Sequence, residues 1–221
     1  MVQGTAQDPA DDSIRQFLQT MDQRMPPYQA RRQLVAESGS RRGWLHAMTE
    51  YSPATGFSYQ VMSEGGSGYI RSKVLRAVLD GEREAIARGE IARSSLGHTN
   101  YTFQPNGVDA EGLAQVLLSP RRNDRVLVSG TMFLQPDGVL VRLQGRLAKS
   151  PSFWVKNVDI LRCYERIAGI VVPVSLDSKA DVRFVGQATL RMTYSYSEID
   201  GRRVTPLAGS SGDPVCPSLI H

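Results

Sequence analysis

Apolar and polar residues alternate with a period of two along most of the chain, which is typical of β-strands. Short turn sequences rich in Gly, Pro, Asn and Asp separate the alternating runs. The runs cover residues 32–37, 43–51, 57–63, 98–103, 112–119, 125–135, 139–149, 153–166, 170–177, 182–185 and 189–197. Because short turns join long strands, the sequence predicts an antiparallel sheet of roughly ten strands.

Two stretches show helical spacing instead. The first is an N-terminal amphipathic helix, in which acidic residues precede apolar ones and two prolines follow; its apolar residues are Ile14, Phe17, Leu18, Met21 and Met25. The second follows the glycines at residues 65–68, and its apolar residues recur near a period of 3.6: Ile70, Val74, Leu75, Val78, Leu79, Ala85 and Ile86. The chain therefore contains a helix before the sheet and another within it.

One face of the predicted sheet is apolar. Val139, Val141, Leu143 and Leu147 alternate with polar residues, and Leu190, Met192, Tyr194 and Tyr196 do the same near the end of the chain. A large sheet with one apolar face must curl around something, and the two helices are the local material that can cover it. The fold class is α+β: a strongly curved antiparallel half-barrel whose concave apolar face is covered by both helices.

Length and composition favour a single folded domain. The 221 residues are 41% hydrophobic and 22% charged, which is close to globular averages. We expect residues 1–10 to be disordered, residues 11–203 to form the domain, and residues 204–221, rich in Gly, Ser and Pro, to form a loosely ordered tail. The two cysteines, Cys163 and Cys216, permit a disulfide but do not establish one.

No pattern of catalytic residues stands out. The glycines of SEGGSGYIRSKVL, residues 63–75, follow a strand and precede a helix, but they lack the Lys-Ser/Thr pair of a phosphate loop. The scattered histidines, His46, His98 and His221, and the turn carboxylates form neither a metal site nor an acid-base pair. We therefore expect no cofactor, no metal and no enzymatic activity. Nucleic acid is also not expected, because exposed aromatics are not interleaved with the Arg pairs.

The order of elements resembles the LolA/LolB-like superfamily of periplasmic lipoprotein carriers. The resemblance covers residues 12–201, and two segments carry it: residues 63–75, and the region from KSPSFW at 149–154 through YERIAGIVVP at 164–173. It implies a half-barrel that holds acyl chains or another amphiphile between its sheet and helices, for transport or sorting in the cell envelope. An alternative is a regulatory or scaffold protein of the envelope that docks a protein partner.

The lining of such a cavity is predicted from apolar residues on the sheet face and the second helix: Phe57, Tyr59, Val61, Leu75, Leu79, Phe133, Trp154, Ile160 and Tyr164. Each could equally be plain core, and Trp154 is the first candidate. Gly65, Gly66 and Gly68 are interpreted as a hinge at the rim of the cavity, with Ser67 able to cap the helix.

The remaining expectations concern partners and location. The ligand is a lipid or a lipidated protein, and Arg41, Arg42, Arg121 and Arg122 are candidates for contact with an anionic membrane surface or an acidic protein. We expect a monomer. The resemblance implies a periplasmic or cell-envelope location; no signal peptide is present in this numbering, and without one the cytoplasm would be favoured.

Overall fold

The helices lie at the start and in the middle of the chain. The computed structural model describes residues 9–20, 25–153, 155–184 and 186–204. Helix α1 spans Pro9–Thr20. A continuous helical segment, called the mid-chain helix below, consists of α2 (Gly68–Ile70), a π-helical turn (Arg71–Leu75) and α3 (Arg76–Ala87), and a 3-10 turn follows at Glu90–Arg93. No helix among the described residues is long and apolar enough to cross a membrane.

Strands make up most of the remainder. They are β1 (Tyr28–Ser38), β2 (Arg41–Ser52), β3 (Gly56–Gly66), β4 (Tyr101–Val108), β5 (Ala114–Pro120), β6 (Val128–Leu134), β7 (Leu140–Leu147), β8 (Val155–Ile167), β9 (Ile170–Val182), β10 (Gly186–Ile199) and β11 (Arg202–Arg203).

All strands belong to one antiparallel sheet. Their order is β3-β2-β1-β10-β9-β8-β7-β6-β5-β4, and the short β11 pairs with β10. β3 and β4 are the two ends of this order and are not paired with each other in the described part of the chain. The sheet is therefore curved and unclosed, and the predicted α+β half-barrel is confirmed.

Two separate hydrophobic clusters fill the concave face. The mid-chain cluster lies under the mid-chain helix and joins Ile70, Leu75 and Leu79 to apolar residues of β1, β2, β3, β9 and β10. The α1 cluster joins Ala10, Ile14 and Phe17 to apolar residues of β4 to β7. Each helix thus covers a different half of the sheet.

Helix α1 crosses to the half of the sheet that is distant from β1. The β6–β7 turn receives it closely, because Gly138 has a φ of +76° and a Cβ there would lie 2.6 Å from the backbone nitrogen of Phe17. The sequence predicts a helix reaching Met25, but α1 ends at Thr20 within the described residues. Met25 instead packs against the mid-chain cluster.

Two strand predictions need correction. Residues 182–185 were expected to be a strand, but the chain reverses after Val182, with Phe184 at a φ of 66°. The second correction concerns β7, which pairs with β6. Leu134 of β6 pairs with Leu140, and Phe133 pairs with Arg142, so Val141 is an extra, bulged residue of β7. The predicted alternation through Val141 is therefore interrupted at the bulge. Leu140 and Leu143 are the β7 residues that belong to the α1 cluster.

Candidate functional site

The predicted lining residues of the mid-chain half form a packed core. Phe57, Leu75 and Leu79 are buried in the mid-chain cluster, and Tyr59 and Val61 pack against it from β3. The hydroxyl of Tyr59 donates a hydrogen bond of 2.9 Å to Oδ1 of Asp80 in α3. This bond ties the mid-chain helix to the edge strand of the sheet. That these residues also line a ligand site stays a prediction.

Phe133 is not brought together with the other candidates. Its neighbours Met132 and Leu134 face the α1 cluster, which places Phe133 on the opposite face of β6. There the guanidinium of Arg142 lies 3.9 Å from the centre of its ring. Phe133 therefore packs under an arginine on the convex side. Trp154 lies outside the described residues.

Ile160 and Tyr164 lie where the two helix-covered halves meet. Ile160 packs against the mid-chain cluster, whereas Tyr164 packs against the α1 cluster. Arg162 lies between them on the same face of β8, because side chains at i, i+2 and i+4 of a strand share a face. We call Ile160, Arg162 and Tyr164 the β8 strip. It crosses the concave face between the areas covered by α1 and by the mid-chain helix.

Arg162 brings a positive charge into this strip. It pairs in register with two apolar residues of the concave face, Leu143 of β7 and Leu176 of β9. Its Nε is buried without a hydrogen-bond partner, and no carboxylate of the described residues lies within 4.0 Å of its guanidinium. Burial lowers the pKa of Arg162, but the nearby Tyr164 and Tyr194 outweigh that effect, so its pKa is raised and it stays charged.

A second arginine on the same face is fully paired. Arg32 of β1 is 1% exposed and donates to both carboxylate oxygens of Glu82 in α3, at 2.5 and 2.9 Å. It also donates to the hydroxyl of Tyr28 at 2.7 Å, and its guanidinium lies 4.7 Å from the ring centre of Tyr194. Burial lowers the pKa of Arg32, but the hydrogen bond to Glu82 and the charge interactions with Tyr194, Glu82 and Tyr28 together outweigh it, so the pKa is raised.

These groups leave an excess of positive charge near the middle of the concave face. Arg32 and Glu82 neutralise each other, while Arg162 has Glu82 only as a more distant charge. A half-buried cation is favourable only when an anion, a dipole or water compensates for its lost hydration. The strip therefore places two apolar side chains, Ile160 and Tyr164, on either side of a half-buried cation.

A cavity of about 340 Å³ lies elsewhere, at the end of the sheet formed by the β4–β5 and β6–β7 turns. Polar and apolar residues share its lining, and Tyr164 of the β8 strip is one of them; the others are Glu111, Leu113, Gln135, Val139, Val141, Arg142, Cys163, Glu165, Arg166 and Val174. This mixed polar lining is not that of the apolar cavity predicted from the sequence. The described His, Cys, Asp and Glu residues form no group of three or more that could hold a metal ion.

The predicted hinge glycines lie where β3 passes into the mid-chain helix. Only Gly66 among the three has a positive φ, +78°. A Cβ on Gly66 would lie 2.4 Å from the carbonyl oxygen of Arg42, and one on Gly65 would lie 2.7 Å from the indole of Trp44. These glycines permit close approach of β2, and a hinge motion stays a prediction. Ser67 is the N-cap residue, but its side chain makes no cap hydrogen bond.

Arg32, Glu82 and Arg162 were missed by the sequence prediction. A signal for the two arginines exists in the alternation, because Arg32 lies between Ala30 and Leu34, and Arg162 lies between Ile160 and Tyr164. An arginine at an inward position of an apolar strand face indicates a buried charge that requires a partner. Glu82 has no comparable signal, since it lies in a helix rich in charged residues.

Comparisons with known proteins give two structural likenesses. No protein-family model matches the chain, and no curated protein matches it. The chain is similar to a DUF1329 family protein from Desulfovibrio piger, with a TM-score of 0.40 and 12% identity over 86% of this chain and 92% of that one. It is also similar to a LolA superfamily protein from Nitrosomonas europaea, with a TM-score of 0.36 and 10% identity over 89% of this chain and 94% of that one.

The second of these proteins bears the name of the superfamily that the sequence resembles. Both TM-scores are below 0.5, so neither likeness carries an inference about a ligand or a role for this chain.

Proposed function

We propose that the protein binds a hydrophobic or amphiphilic ligand, such as the acyl chains of a lipid or lipoprotein, on the concave face of the half-barrel. The observation that supports this is the β8 strip, where apolar side chains and a cation with no carboxylate of the described residues within 4.0 Å lie between the areas covered by the two helices. The ligand class that matches both features is an amphiphile with an anionic group. The binding is non-enzymatic and serves transport or sorting in the cell envelope.

The apolar part of the ligand supplies most of the affinity. Each methylene buried along Ile160 and Tyr164 contributes about 0.8 kcal/mol, so a chain of about a dozen carbons offsets the costs of association. The anionic group pairs with Arg162, where a charge-assisted hydrogen bond in a partly dehydrated site is stronger than one in water.

The envelope location has one further support. Cys163 of β8 is disulfide-bonded. Disulfides persist in oxidising compartments such as the periplasm and are rare in the cytosol. This disulfide supports the proposed location outside the reducing cytosol.

The test uses a fluorescent fatty acid and an uncharged fatty alcohol of the same chain length, together with native mass spectrometry of freshly purified protein. Arg162→Gln should weaken binding of the fatty acid about tenfold and leave that of the alcohol unchanged, because only the acid has a charge to lose. Ile160→Asp should weaken both. Arg166→Gln, an exposed arginine on the same strand, is the matched control and should change neither.

Two results would contradict the proposal. The first is the absence of co-purified lipid together with no uptake of either probe. The second is that Ile160→Asp binds the two probes as well as the Arg166→Gln control does. Either result would favour the alternative role as an envelope scaffold that docks a protein partner.

A further inference from the structure

The antiparallel register places four connections at one end of the sheet. The β1–β2, β5–β6, β7–β8 and β9–β10 connections lie at this end, and the β2–β3, β4–β5, β6–β7 and β8–β9 connections lie at the other. The mid-chain helix also begins at the first end, because β3 ends there. The two ends differ in chemistry.

The first end exposes large aromatic side chains. Phe184 in the β9–β10 turn is 93% exposed, Phe153 in the β7–β8 connection is 68% exposed, and Tyr69 at the start of the mid-chain helix is 56% exposed. Isolated exposed apolar residues are ordinary, but three aromatic rings at one end of a sheet form a pattern that marks an interaction surface.

Basic residues accompany these rings. The guanidinium of Arg183 lies 4.0 Å from the ring centre of Phe153, and that of Arg41 lies 5.2 Å from the ring centre of Tyr69. Lys156, at the start of β8, is also exposed. No carboxylate of the described residues lies within 4.0 Å of Arg41, Lys156 or Arg183. We call the surface formed by these residues the basic rim: Arg41, Tyr69, Phe153, Lys156, Arg183 and Phe184.

Arg121 and Arg122, which were predicted to act with Arg41 and Arg42, are exposed and also make hydrogen bonds within the protein, and their contact with a partner stays a prediction. Arg121 donates its Nε to the carbonyl oxygens of His98 and Tyr101, at 2.8 and 3.1 Å. Arg122 donates to Asn100, to the carbonyl of Arg93 and to Asp124. Hydrogen bonds from Arg93 and Arg122 lower the pKa of Asp124 to about 2. This network of hydrogen bonds fixes the β5–β6 connection. The basic rim is defined without Arg121 and Arg122.

The opposite end carries acidic residues in its turns. Asp109 and Glu111 lie in the β4–β5 connection, Asp137 in the β6–β7 turn and Glu165 near the end of β8. Asp109 and Asp137 are ion-paired with Arg142 and Arg166, and Arg202 and Arg203 also lie at this end, so it has no large excess of either charge. Attraction to a negative surface therefore acts mainly on the basic rim and orients the protein before contact. Orientation of this kind puts the exposed aromatic rings against the surface.

From these observations we propose that the basic rim docks on an anionic lipid bilayer. Aromatic side chains next to Lys and Arg are the residues that proteins place at the interface between lipid headgroups and acyl chains. The cations meet the lipid phosphates, and Phe153 and Phe184 enter the interface, where their rings leave water. Protein interfaces also contain aromatic side chains and arginine, so an acidic protein is the alternative that the test below distinguishes. This surface is separate from the β8 strip, so the proposal holds independently of the proposed ligand.

Flotation of the full-length protein with vesicles tests the proposal. One set of vesicles contains phosphatidylcholine alone, and the other contains phosphatidylcholine and phosphatidylglycerol at about 3:1. We expect binding to the second set only, with affinity that decreases as salt is added. Reversing Arg41 and Lys156 to Glu should weaken binding by at least about 25-fold, at about fivefold per lost charge. Reversing Arg202 and Arg203, which lie at the other end, gives the same change in net charge and should leave binding unchanged.

A second pair of variants tests the aromatic contribution. Phe184→Asp should weaken vesicle binding about tenfold, because one buried aromatic side chain is lost. Val108→Asp, at a 49% exposed apolar position on the opposite end, is the matched control and should have no effect. Uptake of the fluorescent fatty acid should be unchanged in all four variants, which separates this proposal from the one on the β8 strip.

Three outcomes would overturn the membrane proposal. Equal binding to both vesicle sets would remove the role of charge. Equal loss in Phe184→Asp and Val108→Asp, or in the two double reversals, would remove the role of the basic rim. Finally, capture of polyglutamate by the rim without any effect of Phe184→Asp on vesicles would identify an acidic protein as the partner instead.

Discussion

Arg32 shows how a single residue can join a helix to the sheet. Its guanidinium reaches Glu82 in α3 and Tyr28 in β1, and the ring centre of Phe57 lies 4.9 Å away. Glu82 keeps about a third of its side chain exposed, whereas Arg32 is enclosed. The pair is therefore asymmetric: if it is broken, the carboxylate can regain water, but the guanidinium cannot.

The asymmetry predicts unequal effects of removing either partner. Glu82→Ala leaves a buried, unpaired cation and should lower the free energy of unfolding by about 3 kcal/mol. Arg32→Met should cost less, because the freed carboxylate regains water and the methionine fills part of the space. Urea unfolding measures both. Glu84→Ala, at an exposed position on the same helix, is the control, and an equal loss there would contradict the argument.

At the scale of elements, the close approach of β6 and β7 depends on a pair of facing glycines. Gly130 of β6 pairs in register with Gly145 of β7. A Cβ on Gly130 would lie 2.1 Å from the carbonyl oxygen of Gln144, and one on Gly145 would lie 2.3 Å from that of Ser129. Two backbones can approach this closely only without side chains, and glycines in strands often mark a site where another backbone approaches closely.

Two glycine-to-alanine substitutions should therefore change the free energy of unfolding in opposite directions. Gly145→Ala should lower the free energy of unfolding by roughly 3 kcal/mol, because a methyl group against fixed backbone forces β6 and β7 apart. Gly81→Ala in α3 is the matched change, since a Cβ there meets nothing within 4 Å. It should raise stability by about 0.5–1 kcal/mol through better helix propensity. Thermal unfolding measures both changes in stability. A change in the same direction for both variants would contradict the role of these glycines in the approach of β6 to β7.

The sequence predicted the elements better than the faces of the strands. Alternation in β10 correctly predicted that Met192 and Tyr196 are buried. In β6 the residues Met132, Phe133 and Leu134 are all apolar, so a period of two could not decide which of them faces the helices. The placement of α1 over β4 to β6 depends on contacts between residues far apart in sequence. The β8 strip follows from that placement, and local patterns could not predict it.

At the scale of the whole molecule, the two helices divide the core into halves that meet at β8. The mid-chain cluster contains no residue of α1, and the α1 cluster contains none of the mid-chain helix in the described part of the chain. Their strands nevertheless belong to one continuous sheet. The molecule thus combines continuous backbone pairing with two separate areas of side-chain packing, which is an arrangement in which local opening can differ between regions.

Hydrogen exchange can distinguish this arrangement from a single cooperative core. Phe17→Ala removes a 2% exposed ring from the α1 cluster and should cost about 3–5 kcal/mol there. We expect faster exchange in β4 to β6 and unchanged exchange in β2 and β3, because those strands pack under the mid-chain helix. Leu79→Ala should give the reverse pattern. Equal acceleration in both halves by either variant would show instead that the sheet transmits the loss across β8 and that the two halves open only together.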